Sequence, residues 1–429
     1  MTEDVVAHNL DDAWRNFDPD QPLAGDSSFF VEYERRPLNK FKRALLRNPN
    51  RPMRFFLAGF RGSGKSSHLN RLAIDPDLKD RFLIAKYSIR DTCDFNDITT
   101  VDLMVSMASS IIASIPPDFD ASSSPAKDMI DELLAWGSRI EEKVQTQGTG
   151  SEAGVETGVQ VGGSIPLLGS LFTKITGKIR IEESSRKIIR EVLEPQLTDL
   201  IEKLNRLADV VTMQTQRPLL VLVDDTDKLE HNFTNTIFHE GFPTLCNLNF
   251  HVLYTVREFT FFSPDFPEIK AGTQTADMLR NVELWKRGDR QQTESKGIDL
   301  LTQFVHNRMD PSMIEQTKAV ERAAHYSGGI FRQLASIMQI SLDHAIEQER
   351  ERVEEEDVVF AANELRKGLM RIFTQQNMDD LEKVYLNNDH PDRGSITPLF
   401  LNLAILEYEN GDFWYDVHPV LWAAFPENT

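Results

Sequence analysis

Apolar runs separated by stretches of helical spacing set out the plan of this chain. Met53–Leu57, Phe82–Ile89, Pro218–Val223 and Phe250–Val256 are apolar at most positions, the pattern of strands buried on both faces. Val282–Trp285 reads as a short fifth strand. Helical spacing covers Phe29 to about Leu46, Ser66 to Ile74, Ile98 to Ile115, Ala126 to Val144 and Glu182 to Val211. Strands alternating with helices predict a parallel α/β sheet sandwiched by helices. Right-handed crossovers would then bring the ends of the first and third strands to one edge.

The remaining segments break this rhythm. Residues 1–28 are polar and rich in Asp and Pro, and read as an arm or loosely docked lead-in. A glycine-dense stretch, about 147–181, reads as an insertion in a core spanning 29–290. Within it Val155, Thr157, Val159 and Val161 alternate as in a strand, which predicts a hairpin or a loop laid on the core. Residues 291–350 are helical and read as a lid. The charged run Glu347–Asp357 reads as a solvated helix end or linker. Residues 351–429 form a second helical segment that ends in a Gly411 turn and the aromatic run Phe413–Val417, a pattern suggesting a winged-helix-like module.

Charge changes this picture more than composition does. The chain carries 47 basic and 67 acidic residues, a net −20. Val353–Thr429 holds 5 Lys/Arg against 15 Asp/Glu, so this module has little with which to neutralise nucleic-acid phosphates. Trp414, Tyr415 and Trp422 are accordingly read as core or protein-contact residues rather than base stackers. Without a membrane-length apolar run or a signal-like start, a cytoplasmic protein is expected. Cys93 and Cys246 are unpatterned and read as structural thiols.

One stretch carries explicit chemistry. Gly59-Phe60-Arg61-Gly62-Ser63-Gly64-Lys65-Ser66-Ser67 fits G-x-x-x-x-G-K-[ST] and lies between a strand-like and a helix-like run, the context this phosphate-loop pattern requires. Its glycines let main-chain amides curl around a phosphate chain, and the following helix adds its positive end. Lys65 is expected at the β- and γ-phosphates, and Ser66 at Mg²⁺. The chain is therefore expected to bind a nucleoside triphosphate. The architecture that follows is a P-loop core, a helical lid and a small C-terminal module.

Asp224 ends an apolar strand and is the second expected holder of Mg²⁺, with Asp225 beside it to orient or deprotonate the attacking water. Asp227 and Glu230 are alternative bases. Thr255 and Arg257 finish the next strand and are expected to face the γ-phosphate. Arg332, after Gly328-Gly329, is placed to fold over the nucleotide from the lid. Arg280 precedes the expected fifth strand and is a candidate subunit-bridging finger, with Arg287 and Arg290 as rivals.

Phosphate loop, apolar strand ending Asp224-Asp225, polar strand end and Gly-x-x-Arg in a helical lid resemble the AAA+ ATPases, nearest the replication-initiator-like and STAND branches. The opening Trp14, Phe17, Pro22-Leu23 and Phe29-Phe30-Val31-Glu32 is also similar to bacterial stand-alone ATPases. The resemblance implies ATP and Mg²⁺ as cofactors and ATP-driven assembly. It also implies an effector partner encoded nearby, in a setting of bacterial stress or phage defence. It carries over Lys65, Ser66, Asp224 and Arg332. Asp225 departs from the glutamate usual in AAA+ members, which implies either slow turnover and a switch-like role, or an aspartate that suffices. A DNA-loading ATPase is a third reading, against which the acidic C-terminal module argues.

Overall fold

The structure, a computed structural model, describes residues 4–33, 36–147, 164–262, 266–315, 318–388 and 398–425. Five parallel strands form its central sheet: β1 (Arg54–Gly59), β2 (Leu83–Ser88), β3 (Leu219–Asp224), β4 (His251–Arg257) and β5 (Thr275–Leu279), in the spatial order β2-β3-β4-β1-β5. Two-residue alternation sorts their side chains between two apolar layers. Phe56, Ala58, Val221, Val223, Val252 and Tyr254 enter the larger core, while Phe55, Leu57, Leu220, Leu222, Leu253 and Leu279 join Phe41, Leu45, Leu69 and Leu78 on the other face. Both faces are covered, so these strands read as continuous apolar runs. The fold is α/β, with a glycine-rich loop between its first strand and the helix Lys65–Ile74.

The fifth strand differs from its expected position. Thr275–Leu279 pairs with β1, whereas Trp285 lies in a separate antiparallel pair, β6 (Trp285–Lys286) with β7 (Asp289–Thr293). As an edge strand, β5 needs an apolar side chain only where it meets the core, so its Thr-Ala-Asp-Met-Leu sequence carries a weak signal. Val282–Trp285 is apolar because it packs under the C-terminal module, where the Trp285 indole is fully buried against Tyr408, Trp414 and Trp422. Arg280 therefore follows the fifth strand rather than preceding it. The first long helix also starts later than its spacing suggests, at Arg36.

Within the insertion, Ser164–Ile181 is a helix and not half of a hairpin. Leu168, Phe172, Ile175 and Ile179 fall at helical spacing and are all buried, with Phe172 stacked on Trp136. The alternating Val155–Val161 lies outside the described residues. Four ion pairs brace this helical layer: Arg186 and Arg190, on the Glu183–Leu193 helix, bind Asp94, Asp97 and Asp102.

The amino-terminal segment is built into the molecule. Leu10, Ala13 and Phe17 are buried, and Ala7 bridges to Met309 through hydrogen bonds with Arg308 and Asp310. The lid consists of the helices Ser295–His306, Ala319–Tyr326 and Phe331–Glu347. Asp357, at the end of the expected solvated run, is fully buried; it caps its own helix and binds His344 and Arg350. In the C-terminal module β8 (Ile405–Asn410) and β9 (Asp412–Val417) form an antiparallel hairpin around Gly411, whose φ is 82°. Trp414 and Tyr415 are buried there. No helix among the described residues is long and apolar enough to cross a membrane.

Candidate nucleotide site

The sheet order places β4 between β1 and β3, so the carboxyl ends of these three strands open together at one edge. After β1 the chain turns through Gly62 and Gly64, with φ of 90° and 89°, and enters the helix Lys65–Ile74. These left-handed conformations are open to glycine without steric cost, and they curl the loop ahead of the helix amino-terminus. The Lys65 ammonium is buried at the floor, 2.6 Å from the Gly59 carbonyl, 3.1 Å from that of Phe60 and 2.9 Å from Asp227 Oδ2.

The acids lie at and just after the end of β3. Asp224 is buried and accepts a hydrogen bond from the Ser66 hydroxyl at 3.1 Å, joining the two motifs across the sheet. Burial pushes its carboxyl up, and the charge of Asp225 adds to the effect. Asp225 has a φ of 66° and accepts a short hydrogen bond from the Ser88 hydroxyl at the end of β2. Burial works to raise its carboxyl, but the hydrogen bonds from Lys228 and Ser88 prevail and hold it below the usual range. Carboxylate oxygens of Asp224, Asp225 and Asp227 lie within 4.8 Å of one another. Lys228 engages Asp225 and Lys65 engages Asp227, so Asp224, beside the Ser66 hydroxyl, is the carboxylate left to offer hard oxygen donors of the kind that suit Mg²⁺.

A cavity of about 710 Å³ opens above the loop. Its lining includes Arg61, Lys65, Ser66, Asp227, Lys228 and Arg332, so cations dominate where phosphates would lie. Arg332 packs directly on the loop: its amide donates to the Gly62 carbonyl at 3.3 Å and its Nε to the Pro19 carbonyl at 2.8 Å. Burial and the neighbouring Arg61 lower its pKa. Away from the loop the wall is aromatic. Phe30 meets His68 edge-on at 5.0 Å, and Tyr33 meets Phe331 at 4.8 Å, surfaces suited to a nucleobase. The amino-terminal segment closes this side, with the Leu23 amide donating to Ser67 Oγ and Asn70 Nδ2 donating to the Leu23 carbonyl.

Three expected site residues face elsewhere. Thr255 is fully buried and paired with Thr226, so its hydroxyl turns sideways to the next strand end and not toward the cavity. Arg257 donates to the carbonyls of Asp227 and Lys228, bracing the turn that carries the acids. Arg280 pairs with Glu407 and Glu409 and lies over the Phe413 ring, so it engages its own chain's hairpin instead of reaching outward. Its rival Arg290 is bound to Asp416. Glu230 is not among the residues lining the cavity, and neither are Asp224 and Asp225; of the acids after β3 only Asp227 lines it.

Sequence reasoning missed Glu258, which immediately follows Arg257. It is buried, burial pushes its carboxyl up, and the charge of Lys65 opposes that shift. It also missed Ser88, whose hydroxyl reaches Asp225 because the β2–β3 register sets Ser88 beside Asp224. A polar residue ending a buried strand next to the acid-bearing one was the available signal.

No protein-family model matches the chain, and no curated protein does. Solved structures are similar in general form. Cdc6p from Pyrobaculum aerophilum is 13% identical with a TM-score of 0.42, over 95% of this chain and 94% of that one. The Aeropyrum pernix ORC2 protein, in ADPNP–ADP complexes, is 11% identical with a TM-score of 0.43, over 95% and 93%. The Thermotoga maritima RuvB Holliday junction branch migration motor is 10% identical with a TM-score of 0.34, over 83% and 76%.

Proposed function

We propose that this chain is an ATP-binding and ATP-hydrolysing protein of AAA+ type, whose nucleotide state controls its assembly or the action of a partner protein. The observation that carries the reading is the joined constellation of Lys65, Ser66 and Asp224. A buried amine and a hydroxyl at a helix amino-terminus meet a strand-end carboxylate beneath a cation-lined cavity. Lys65 binds the terminal phosphates, and Arg61 and Arg332 take up charge along the chain of phosphates. Ser66 and Asp224 are the residues that would hold Mg²⁺, which when bound neutralises phosphate oxygens. Asp225 receives the proton of the attacking water or orients it, with Ser88 fixing its carboxylate. Arg332 reports occupancy to the lid, because it touches the loop and the amino-terminal segment together. Phosphate release from ATP by wild type, Lys65→Ala and Asp225→Asn tests this. The reading predicts turnover lost in both variants, and equal release by all three would overturn it.

A second reading, a switch that binds ATP and turns it over slowly, is favoured by Asp225 itself. Its carboxylate is one methylene shorter than a glutamate and is held by Lys228 as well as Ser88. Sizing the protein with ADP and with a non-hydrolysable ATP analogue separates the two. A switch assembles with the analogue, and does so equally as Asp225→Asn. The acidic C-terminal module argues against duplex DNA as the partner.

A further inference from the structure

We propose that Asp227 is an internal stand-in for the terminal phosphates: its carboxylate pairs with Lys65, and bound nucleotide has to displace it. This deepens the ATP-binding reading and rests on it. An ammonium has three N–H donors. The Lys65 amine has three oxygens around it, the carbonyls of Gly59 and Phe60 and the Asp227 carboxylate. The two carbonyls belong to the loop and its preceding strand, so they cannot leave without refolding the cradle. Asp227 is the partner that an incoming anion is able to replace. Its side chain is 10% exposed and lines the cavity together with Arg61 and Arg332, the place where a phosphate would compete for the same cation.

Displacement would not stay local. Asp227 belongs to the turn Thr226–Lys228, whose carbonyls at 227 and 228 accept from Arg257 and whose Lys228 pairs with Asp225. Moving Asp227 off Lys65 strains the turn that holds Lys228 against Asp225. Asp227 thus acts through Lys65 as a positioning residue. It sets how tightly nucleotide binds and links that event to the acid that handles water.

Calorimetric titration of the full chain with ADP and with a non-hydrolysable ATP analogue tests this, each with Mg²⁺ and with EDTA. The proteins are wild type, Asp227→Asn, Asp227→Ala and Asp343→Asn, where the exposed Asp343 removes the same charge at a distance. Melting curves check that each variant is folded. Removing a carboxylate that competes for a buried amine is expected to tighten binding of both nucleotides about tenfold, with and without the metal, in either Asp227 variant. Asp343→Asn is expected to change affinity less than about twofold. Wild type binding nucleotide as tightly as the Asp227 variants would overturn the proposal and leave the ATP reading standing. A loss confined to Mg²⁺-containing titrations would make Asp227 a metal holder, and unchanged affinity with phosphate release from ATP lost in a parallel assay would make it the base. Either result overturns the stand-in role. Absence of binding by all four proteins removes the ATP reading and this inference with it.

Discussion

A Cβ added at Gly62 would lie 2.4 Å from the Cβ of Arg332, at a φ of 90° that side chains rarely adopt. Gly62→Ala is therefore expected to push the lid off the loop, at a cost of about 1–3 kcal/mol. Thermal denaturation with and without nucleotide should show a lower Tm and a diminished nucleotide-induced rise. Asp225→Asn separates chemistry from binding: phosphate release should fall about 100-fold or more while affinity for ADP is kept. Lys65, Ser66 and Asp224 were legible because a phosphate loop is contiguous and an acid closing an apolar run is conspicuous. Ser88 and Asp225 meet across 137 residues of chain through strand register alone, so no local pattern announces them. Thr255 and Arg257 were read from strand position, but which way a strand-end side chain turns depends on its neighbours, here Thr226 and the carbonyls of Asp227 and Lys228.

Among the elements, strands buried on both faces were readable and the edge strand was not, since Thr275–Leu279 needs little apolar character to pair with β1. The helix Ser164–Ile181 was masked by Gly169 and Gly177, although Leu168, Phe172, Ile175 and Ile179 carry helical spacing. Each glycine weakens a helix by only about 1 kcal/mol, which burial of Leu168, Phe172, Ile175 and Ile179, at about 1.5–3 kcal/mol per side chain, outweighs. The Glu183–Leu193 helix is tied down differently. Its Arg190 binds Asp102, whose carboxylate is fully buried. Arg190→Ala leaves that charge unpaired and should cost about 3–5 kcal/mol in urea denaturation. Replacing both partners by apolar residues should recover much of the loss, because the penalty lies in the orphaned charge.

Across the whole molecule, the amino-terminal segment, the phosphate-loop pattern and the lid line a shared cavity, and the C-terminal hairpin is joined to the rest through Trp285, Arg280 and Arg290. The opening residues read as an arm or loosely docked lead-in although Leu10, Ala13 and Phe17 have helical spacing, because one short apolar stripe among acidic residues gives no indication of its partner. The buried C-terminal junction has a pH signature. Burial pushes the His418 imidazole down to about 3, so the folded chain refuses a proton that the unfolded chain takes up near pH 6.5. Its contribution to stability is complete above that pH and is lost as pH falls toward 3, at up to about 1.4 kcal/mol per unit. Tm should fall on acidification below pH 6.5, and His418→Asn should flatten that slope. If Lys65 lies at the floor of a nucleotide site, its loss must abolish the heat of nucleotide binding. Titrating a non-hydrolysable ATP analogue with Mg²⁺ should give saturable one-site heat with wild type and none with Lys65→Ala. Silence from wild type, or equal affinity in both proteins, would contradict it.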